Sequence, residues 1–329
     1  MNVKSNSVFK QLTPGIILGL AVLVGLMILG GANKVSAQFL QFHWAYFFYA
    51  ILLSILNYLF RFLKRHYCLN RGGAGNFTLS NSFHLFLASF PLSVTSMKVG
   101  ESFKGIWLNR ISGIPVEKAV SIFLVDHLSD GLSVFLLTVF GTIAFPSLWP
   151  AFLTVLVLFL LAVAFIQIRP VVQNFLNVTE KLPLLSRLVP VARSCMDHNP
   201  DLFRFGPLFL SSFLGLASWV ADGAALFMIL IGLGYPATWA LVGTSILVFA
   251  FSMLMGIISA FPGGVGVMEV AMAALLTLFL GFIPEVAAAA TILFRVATFW
   301  VGFLIGLLIL YTTGKSFGVQ NNEGRIIES

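Results

Sequence analysis

Two stretches of this chain set charged side chains beside glycine and proline inside apolar runs, and in the same order. The first reads Gly100-Glu101, then Ile114-Pro115-Val116-Glu117, then Asp126-His127; the second reads Gly266-Val267-Met268-Glu269, then Ile283-Pro284-Glu285-Val286, then Arg295. Glu101 to His127 spans 26 positions, as does Glu269 to Arg295. A charge held in lipid costs roughly 2.5–3.5 kcal/mol, so each such group needs a partner or a ligand. Asp126 and Asp130 are four apart and share a helix face, with His127 beside Asp130. That seam either faces a pathway and titrates through His127, or packs against Lys98, Lys104 or Arg295 and holds helices together. Lys98, Glu101 and Lys104 recur every third position, which sets two ammonium groups where a lipid phosphate could meet them. The competing reading is an interfacial helix with snorkelling lysines.

The turn Pro262-Gly263-Gly264-Val265-Gly266 opens the helix that carries Glu269. Glycines let the backbone bend sharply and approach a ligand, and a helix N-terminus offers unpaired N–H groups to an anion. A plain tight turn has the same composition. Glu269 complements the helix dipole, and Arg295 on the next helix is its natural partner, in a structural pair, a functional one, or both. Asp222, beside Gly223, is another acid in an apolar run, with no partner legible in the sequence.

The elements that position these residues are membrane helices. Hydrophobic residues make up 59% and charged residues 9% of 329, against about 25% charged in soluble domains; mean hydropathy is +0.99. At about 20 residues per crossing the chain accommodates eight or nine spans and no sizeable soluble domain. Apolar segments run over 13–32, 43–62, 119–145, 148–168, 206–233 and 284–313. Two stretches, 82–112 and 239–282, are each broken into two arms. The second arm of 82–112 is too polar to face lipid, which favours a re-entrant hairpin buried in protein. The stretch 239–282 reads as spanning or re-entrant, with the first hairpin as the analogy for the latter. The first helix, preceded by Lys4 and Lys10 and followed by Val35-Ser36-Ala37, is expected to be an uncleaved span rather than a signal peptide.

Basic residues concentrate in 61–81 and 169–205 and are scarce near 33–42, 146–150, 234–238 and 282–285, which places the N- and C-termini in the cytoplasm. The expectation is an all-α polytopic membrane protein with about eight transmembrane-helix equivalents and one or two re-entrant hairpins. A single domain covers 1–315, with a short cytoplasmic tail at 316–329. Its repeat halves, about 43–145 and 206–313, start on opposite sides of the membrane and so form inverted repeats. Cys68 and Cys195 fall in the basic loops without metal spacing and read as reduced spectators. No nucleotide, zinc or nucleophile motif is present, so no cofactor, no metal site and no catalytic residue is expected. The +7 charge fits anionic lipid surfaces and does not imply nucleic acid.

The residues now support a resemblance. Ser96-Met97-Lys98-Val99-Gly100-Glu101 with Val125-Asp126-His127-Leu128-Ser129-Asp130 resembles the "P-x-R-x-G-E … E-R-x-x-D" signature of a flippase-like membrane domain. Phe261-Pro262-Gly263-Gly264-Val265-Gly266-Val267-Met268-Glu269 with Arg295 resembles its "P-G-G-x-G-x-x-E … R" block. The chain is thus similar to the UPF0104 (YbhN-like) family and to the N-terminal membrane half of lysylphosphatidylglycerol synthase/flippase proteins, from the second helix to about residue 313. It departs from the pattern at Ser96 for Pro, Lys98 for Arg, Asp126 for Glu and His127 for Arg. The soluble aminoacyl-transferring and glycosyltransferase domains of some relatives are expected to be absent.

The resemblance and the repeats together imply a lipid flippase or transporter that moves an anionic or polyprenyl-type lipid across the cytoplasmic (inner) membrane. Lys98, Gly100, Glu101, Lys104, Asp126, His127, Asp130, Pro262, Gly263, Gly264, Gly266, Glu269 and Arg295 are the substrate-site candidates. The alternatives are an accessory membrane subunit of a separate lipid synthase and a membrane-embedded headgroup transferase using Asp126, Asp130 or Glu269 as base.

Overall fold

In lipid, a chain must satisfy its backbone hydrogen bonds internally, by helices or a closed barrel. In the computed structural model of this chain, every regular element among the described residues is helical. The structure describes residues 5–73, 78–95, 97–142, 169–180, 200–259 and 261–313, with a few isolated positions between them. In chain order the helices are α1 (Ser5–Leu29), α2 (Ala32–Gln41), α3 (Trp44–Arg71), α4 (Leu79–Ala88), α5 (Met97–Ser112), α6 (Val116–Thr142), α7 (Arg169–Thr179), α8 (Phe205–Gly232), α9 (Trp239–Ile258), α10 (Val267–Leu280), α11 (Pro284–Arg295) and α12 (Val301–Thr313). A five-residue π segment, Val296–Trp300, joins α11 to α12 without a break.

Among the described residues six helices are long and apolar enough to cross a membrane, with spans at Leu12–Leu29, Trp44–Arg71, Ser121–Thr138, Phe205–Gly232, Trp239–Ile258 and Pro284–Thr312. The chain is therefore an all-α, multi-pass membrane protein. The arms of the first hairpin, α4 with 10 residues and α5 with 16, are each short of the ~20 that a crossing needs. In the second broken stretch, α9 has 20 residues and α10 only 14, so the two hairpins differ in depth. Most of the segment expected at 148–168, with Cys195 and the tail 316–329, lies outside the described residues.

One sequence boundary is corrected. The apolar run entered at 43 does not give way to a loop at 61; α3 continues to Arg71, so Arg61, Lys64, Arg65 and Cys68 are helical and Lys64, Arg65 and Cys68 are buried. Their charges end the hydropathy window but not the helix, because partners on α6 neutralise them.

The repeated Ile-Pro motif also finds a local cause. Each hairpin's second arm ends on a glycine of positive φ, Gly113 at 71° and Gly281 at 64°. Proline, with no N–H to lose, then starts the next helix: Pro284 is its first residue, and Pro115 directly precedes α6.

Packing is reciprocal between the two parts of the chain. The 28-residue helices α3 and α8 lie along each other as the most extensive pair. α9 packs on α6 as α12 packs on α4, and α5 on α6 as α10 on α11. The hairpin turns, the 3₁₀ segments Pro91–Val94 and Pro262–Gly264, touch each other. α12 comes so close to the first hairpin that a Cβ on Gly306 would lie 2.5 Å from the Leu87 carbonyl oxygen. α1 covers this assembly, packing on α11 and on the Pro91–Val94 turn.

Candidate functional site

Lys64 is 1% exposed in a span, where an unpaired ammonium would be untenable. Its Nζ meets Asp130 Oδ1 at 2.6 Å and Asp126 Oδ1 at 2.9 Å. It also donates to the Asp126 carbonyl at 3.0 Å and to Ser129 Oγ at 3.3 Å. Arg65 takes the other oxygen of Asp126, through Nε at 3.1 Å and Nη2 at 3.0 Å, a forked geometry suited to carboxylate. Its Nη1 donates to Ser89 Oγ at 2.7 Å, so one guanidinium ties α3 to α6 and to the end of α4. Arg61 reaches Asp130 Oδ2 at 3.7 Å, and its guanidinium lies 4.9 Å from the Trp219 ring centre on α8.

A second ion pair lies between α10 and α11. Glu269 is the third residue of α10; its Oε2 accepts the Gly266 N–H at 2.7 Å and so caps the helix. Its Oε1 is 2.5 Å from Arg295 Nε. Arg295 lies over the Phe299 ring at 4.3 Å and directs Nη1 at Met268 Sδ, 3.4 Å away. Its Nη2 is buried without a hydrogen-bond partner among the described residues. In the π segment that follows, the Thr298 carbonyl accepts a hydrogen bond from the Tyr58 hydroxyl of α3.

Asp222 of α8 is 8% exposed, and its Oδ1 is buried without a hydrogen-bond partner among the described residues. Beside the glycine turn an apolar crevice of about 460 Å³ opens at the surface, lined in part by Leu18, Met255, Phe261, Val265 and Val270.

The expected site residues are thus distributed over several places. Asp126 and Asp130 share the α3 cluster; the partners expected for them, Lys98, Lys104 or Arg295, give way to Lys64, Arg65 and Arg61. His127 sits half-buried next to that cluster. Lys104 is buried with its Nζ 5.8 Å from the Phe123 ring centre. Glu269 and Arg295 pair as the sequence suggests, with Gly266 at the cap. Gly263 and Gly264 adopt φ of 63° and 65° in the turn, and a Cβ on Gly263 would lie 3.2 Å from the Ser93 carbonyl oxygen of the opposite hairpin. Pro262 begins this turn. Lys98, Gly100 and Glu101 lie on α5, outside the residues whose side-chain surroundings are described.

Arg61, Lys64 and Arg65 are the residues the sequence reading missed. Asn57, Arg61, Lys64 and Cys68 recur at helical spacing, a polar stripe that marks α3 as continuing past its apolar window.

Comparison with known proteins adds a family. Residues 16–306 match the family described as the lysylphosphatidylglycerol synthase TM region. The chain is also 25% identical over 225 residues to a UPF0104 membrane protein of Methanothermobacter thermautotrophicus. That match takes in 64% of this chain and 66% of the relative, just under two thirds of the latter's length.

Proposed function

This chain belongs to the lysylphosphatidylglycerol synthase TM-region family, and from that premise we propose that it carries an anionic lipid between the leaflets of the cytoplasmic membrane. The family and the six spans set the coarse reading, a multi-pass membrane protein compatible with a lipid-related role. The finer one is carried by a single observation: two broken helical hairpins meet at their turns, and buried ion clusters tie together the helices that follow and flank them. Irregular backbone at membrane depth is tolerated where it is buried or lines a cavity, and in transporters such discontinuous segments hold the substrate site.

In this reading 43–145 and 206–313 are inverted halves whose reciprocal packing supports alternating access, with both termini in the cytoplasm. The headgroup enters at the turns, near Gly263, Gly264 and Gly266, and Lys98 and Lys104 are the cations proposed to meet it. The apolar crevice beside Val265 and Val270 receives an acyl chain, so the tails never leave an apolar environment.

The test is translocation by purified protein in liposomes containing headgroup-labelled phosphatidylglycerol and, in parallel, zwitterionic and polyprenyl-phosphate lipids. Faster leaflet exchange of an anionic or polyprenyl lipid, lost on Glu269→Gln, is the expected result. Unchanged leaflet distribution across all headgroups overturns the reading.

A further inference from the structure

We propose that Ser54, Asn57 and Asp222 form a binding site for one sodium ion between α3 and α8. Such a site is independent of the transport reading, because neither its ligands nor its readouts involve lipid.

α3 and α8 run antiparallel. The His43 N–H meets the Gly232 carbonyl at 2.9 Å, Asn57 Nδ2 donates to the Ser218 carbonyl at 2.8 Å, and Cys68 Sγ lies 3.5 Å from Ser211 Oγ. One helical turn from the Asn57–Ser218 bond, toward the His43–Gly232 end, stand Ser54 on α3 and Asp222 on α8. Ser54 is the eleventh residue from the start of α3, and Asp222 is the eleventh from the end of α8. Those two ends are the paired ones, so both residues lie at one level, about 15 Å into the helix pair at 1.5 Å per residue. Spacings of three from Ser54 to Asn57 and of four from Ser218 to Asp222 keep each pair on one helix face.

The oxygens at this level are unused. Ser54 Oγ, Asn57 Oδ1 and Asp222 Oδ1 are each buried without a hydrogen-bond partner among the described residues. The Asn57 amide is oriented by its bond to Ser218, which leaves Oδ1 as the free atom. Ser54 is unusual among buried hydroxyls in helices, which mostly bond back to a carbonyl one turn earlier. Ser218, Ser245, Ser252 and Thr291 all do so. The other buried acids have direct partners: Asp126 has Lys64 and Arg65, Asp130 has Lys64, and Glu269 has Arg295.

Three buried oxygens without donors call for a group that is all donor, and a cation is one. A proton on Asp222 would serve only oxygens within hydrogen-bond distance, and none of the three is bonded to another. A metal ion holds oxygens around itself without their touching, and a carboxylate can bind it through one oxygen or both. The charge selects the class of ion. Asp222 brings one negative charge and Ser54 and Asn57 bring none, so a monovalent ion leaves the interior neutral. A divalent ion would leave a buried positive charge without compensation. The free oxygens are closed to water, and close quarters favour sodium over the larger potassium. Because both helices supply ligands, the ion is held only while α3 and α8 keep this register.

The test is equilibrium dialysis of the purified full-length protein in detergent against radiolabelled Na⁺, with choline holding the ionic strength, and thermal unfolding in the same solutions. Wild type is expected to bind about one Na⁺ per chain. Its melting point should rise by about 2–4 °C as Na⁺ passes from well below to well above its dissociation constant, since an ion bound only by the folded state stabilises it. K⁺ should compete about tenfold more weakly. Ser54→Ala is expected to weaken Na⁺ binding about tenfold, and Asp222→Asn to abolish it. Ser245→Ala, whose hydroxyl bonds within α9, should leave it unchanged. No saturable Na⁺ binding by folded wild type overturns the inference, as does binding that survives both Ser54→Ala and Asp222→Asn. A melting point that responds to pH but not to Na⁺ gives Asp222 to a proton and overturns it equally. Equal competition by K⁺ or Ca²⁺ overturns the assignment to sodium. Should Asp222→Asn fail to fold, the wild-type stoichiometry and Ser54→Ala decide.

Discussion

Replacing Lys64 by Met keeps the length of the side chain and removes the one cation that both Asp126 and Asp130 share. The consequence is unequal for the two acids. Asp126 keeps Arg65, with bonds at 3.0 and 3.1 Å, whereas Asp130 loses its 2.6 Å partner and retains only Arg61 at 3.7 Å. Breaking a buried pair costs about 3–5 kcal/mol because a charge is left without compensation. Arg61 remains in reach, so the expected loss for Lys64→Met is at the low end, about 3 kcal/mol. Neutralising the stranded acid should reverse much of it: Lys64→Met/Asp130→Asn is expected to be more stable than Lys64→Met alone. The coupling between the two positions is then about 1.5–3 kcal/mol. Equilibrium unfolding of the detergent-solubilised protein by increasing SDS, followed by tryptophan fluorescence, measures all four corners of the cycle. A Lys64→Met protein within about 1 kcal/mol of wild type, or strictly additive substitutions, refutes the view that this cluster holds α3 to α6.

Three further outcomes follow from the same packing. Gly306→Ala sets a methyl group 2.5 Å from the Leu87 carbonyl oxygen and 2.7 Å from Pro91 Cδ; overpacking of this kind costs about 1–3 kcal/mol, and the same unfolding assay should show it. Gly263→Ala forces a side chain onto φ of 63° and against Ser93, at roughly 1–2 kcal/mol from the left-handed backbone alone; lipid translocation is expected to slow more than the unfolding midpoint moves. Cys68 is fully buried with Sγ 3.5 Å from Ser211 Oγ, so in a Cys195→Ser background maleimide should label it only after denaturation, whereas a loop cysteine would react at once.

The fold class was legible because hydropathy needs no tertiary information: the spans follow from long apolar runs such as Phe205–Gly232. The Glu269–Arg295 pair was legible too, since a glycine turn, an acid in the first helical turn and a base on the next helix lie within one short stretch. The larger cluster was not. Lys64 and Asp130 are 66 positions apart, and no local period links them. The basic residues also met the ordinary rule for a cytoplasmic loop, which was enough to cut α3 short at 62. The corrective signal lay in the acids: Asp126 and Asp130 needed cations, and the stripe from Asn57 to Cys68 offered them on a helical face. Asp222 stayed unexplained in the sequence, and among the described residues no ion pair or hydrogen bond to its Oδ1 names a partner for it.

The placement of the ion pairs bears on how two inverted halves can move against each other. α3 and α8 run antiparallel: the His43 N–H reaches the Gly232 carbonyl, Asn57 donates to the Ser218 carbonyl, and Cys68 lies beside Ser211. Besides these neutral contacts, Arg61 lies over the Trp219 ring. A saturated buried pair such as Lys64–Asp130 must break at several kcal/mol for its helices to separate. The α3–α6 and α10–α11 contacts, each within one proposed half, are fixed by such pairs. The α3–α8 contact, between the halves, is the one that can slide at the lower cost.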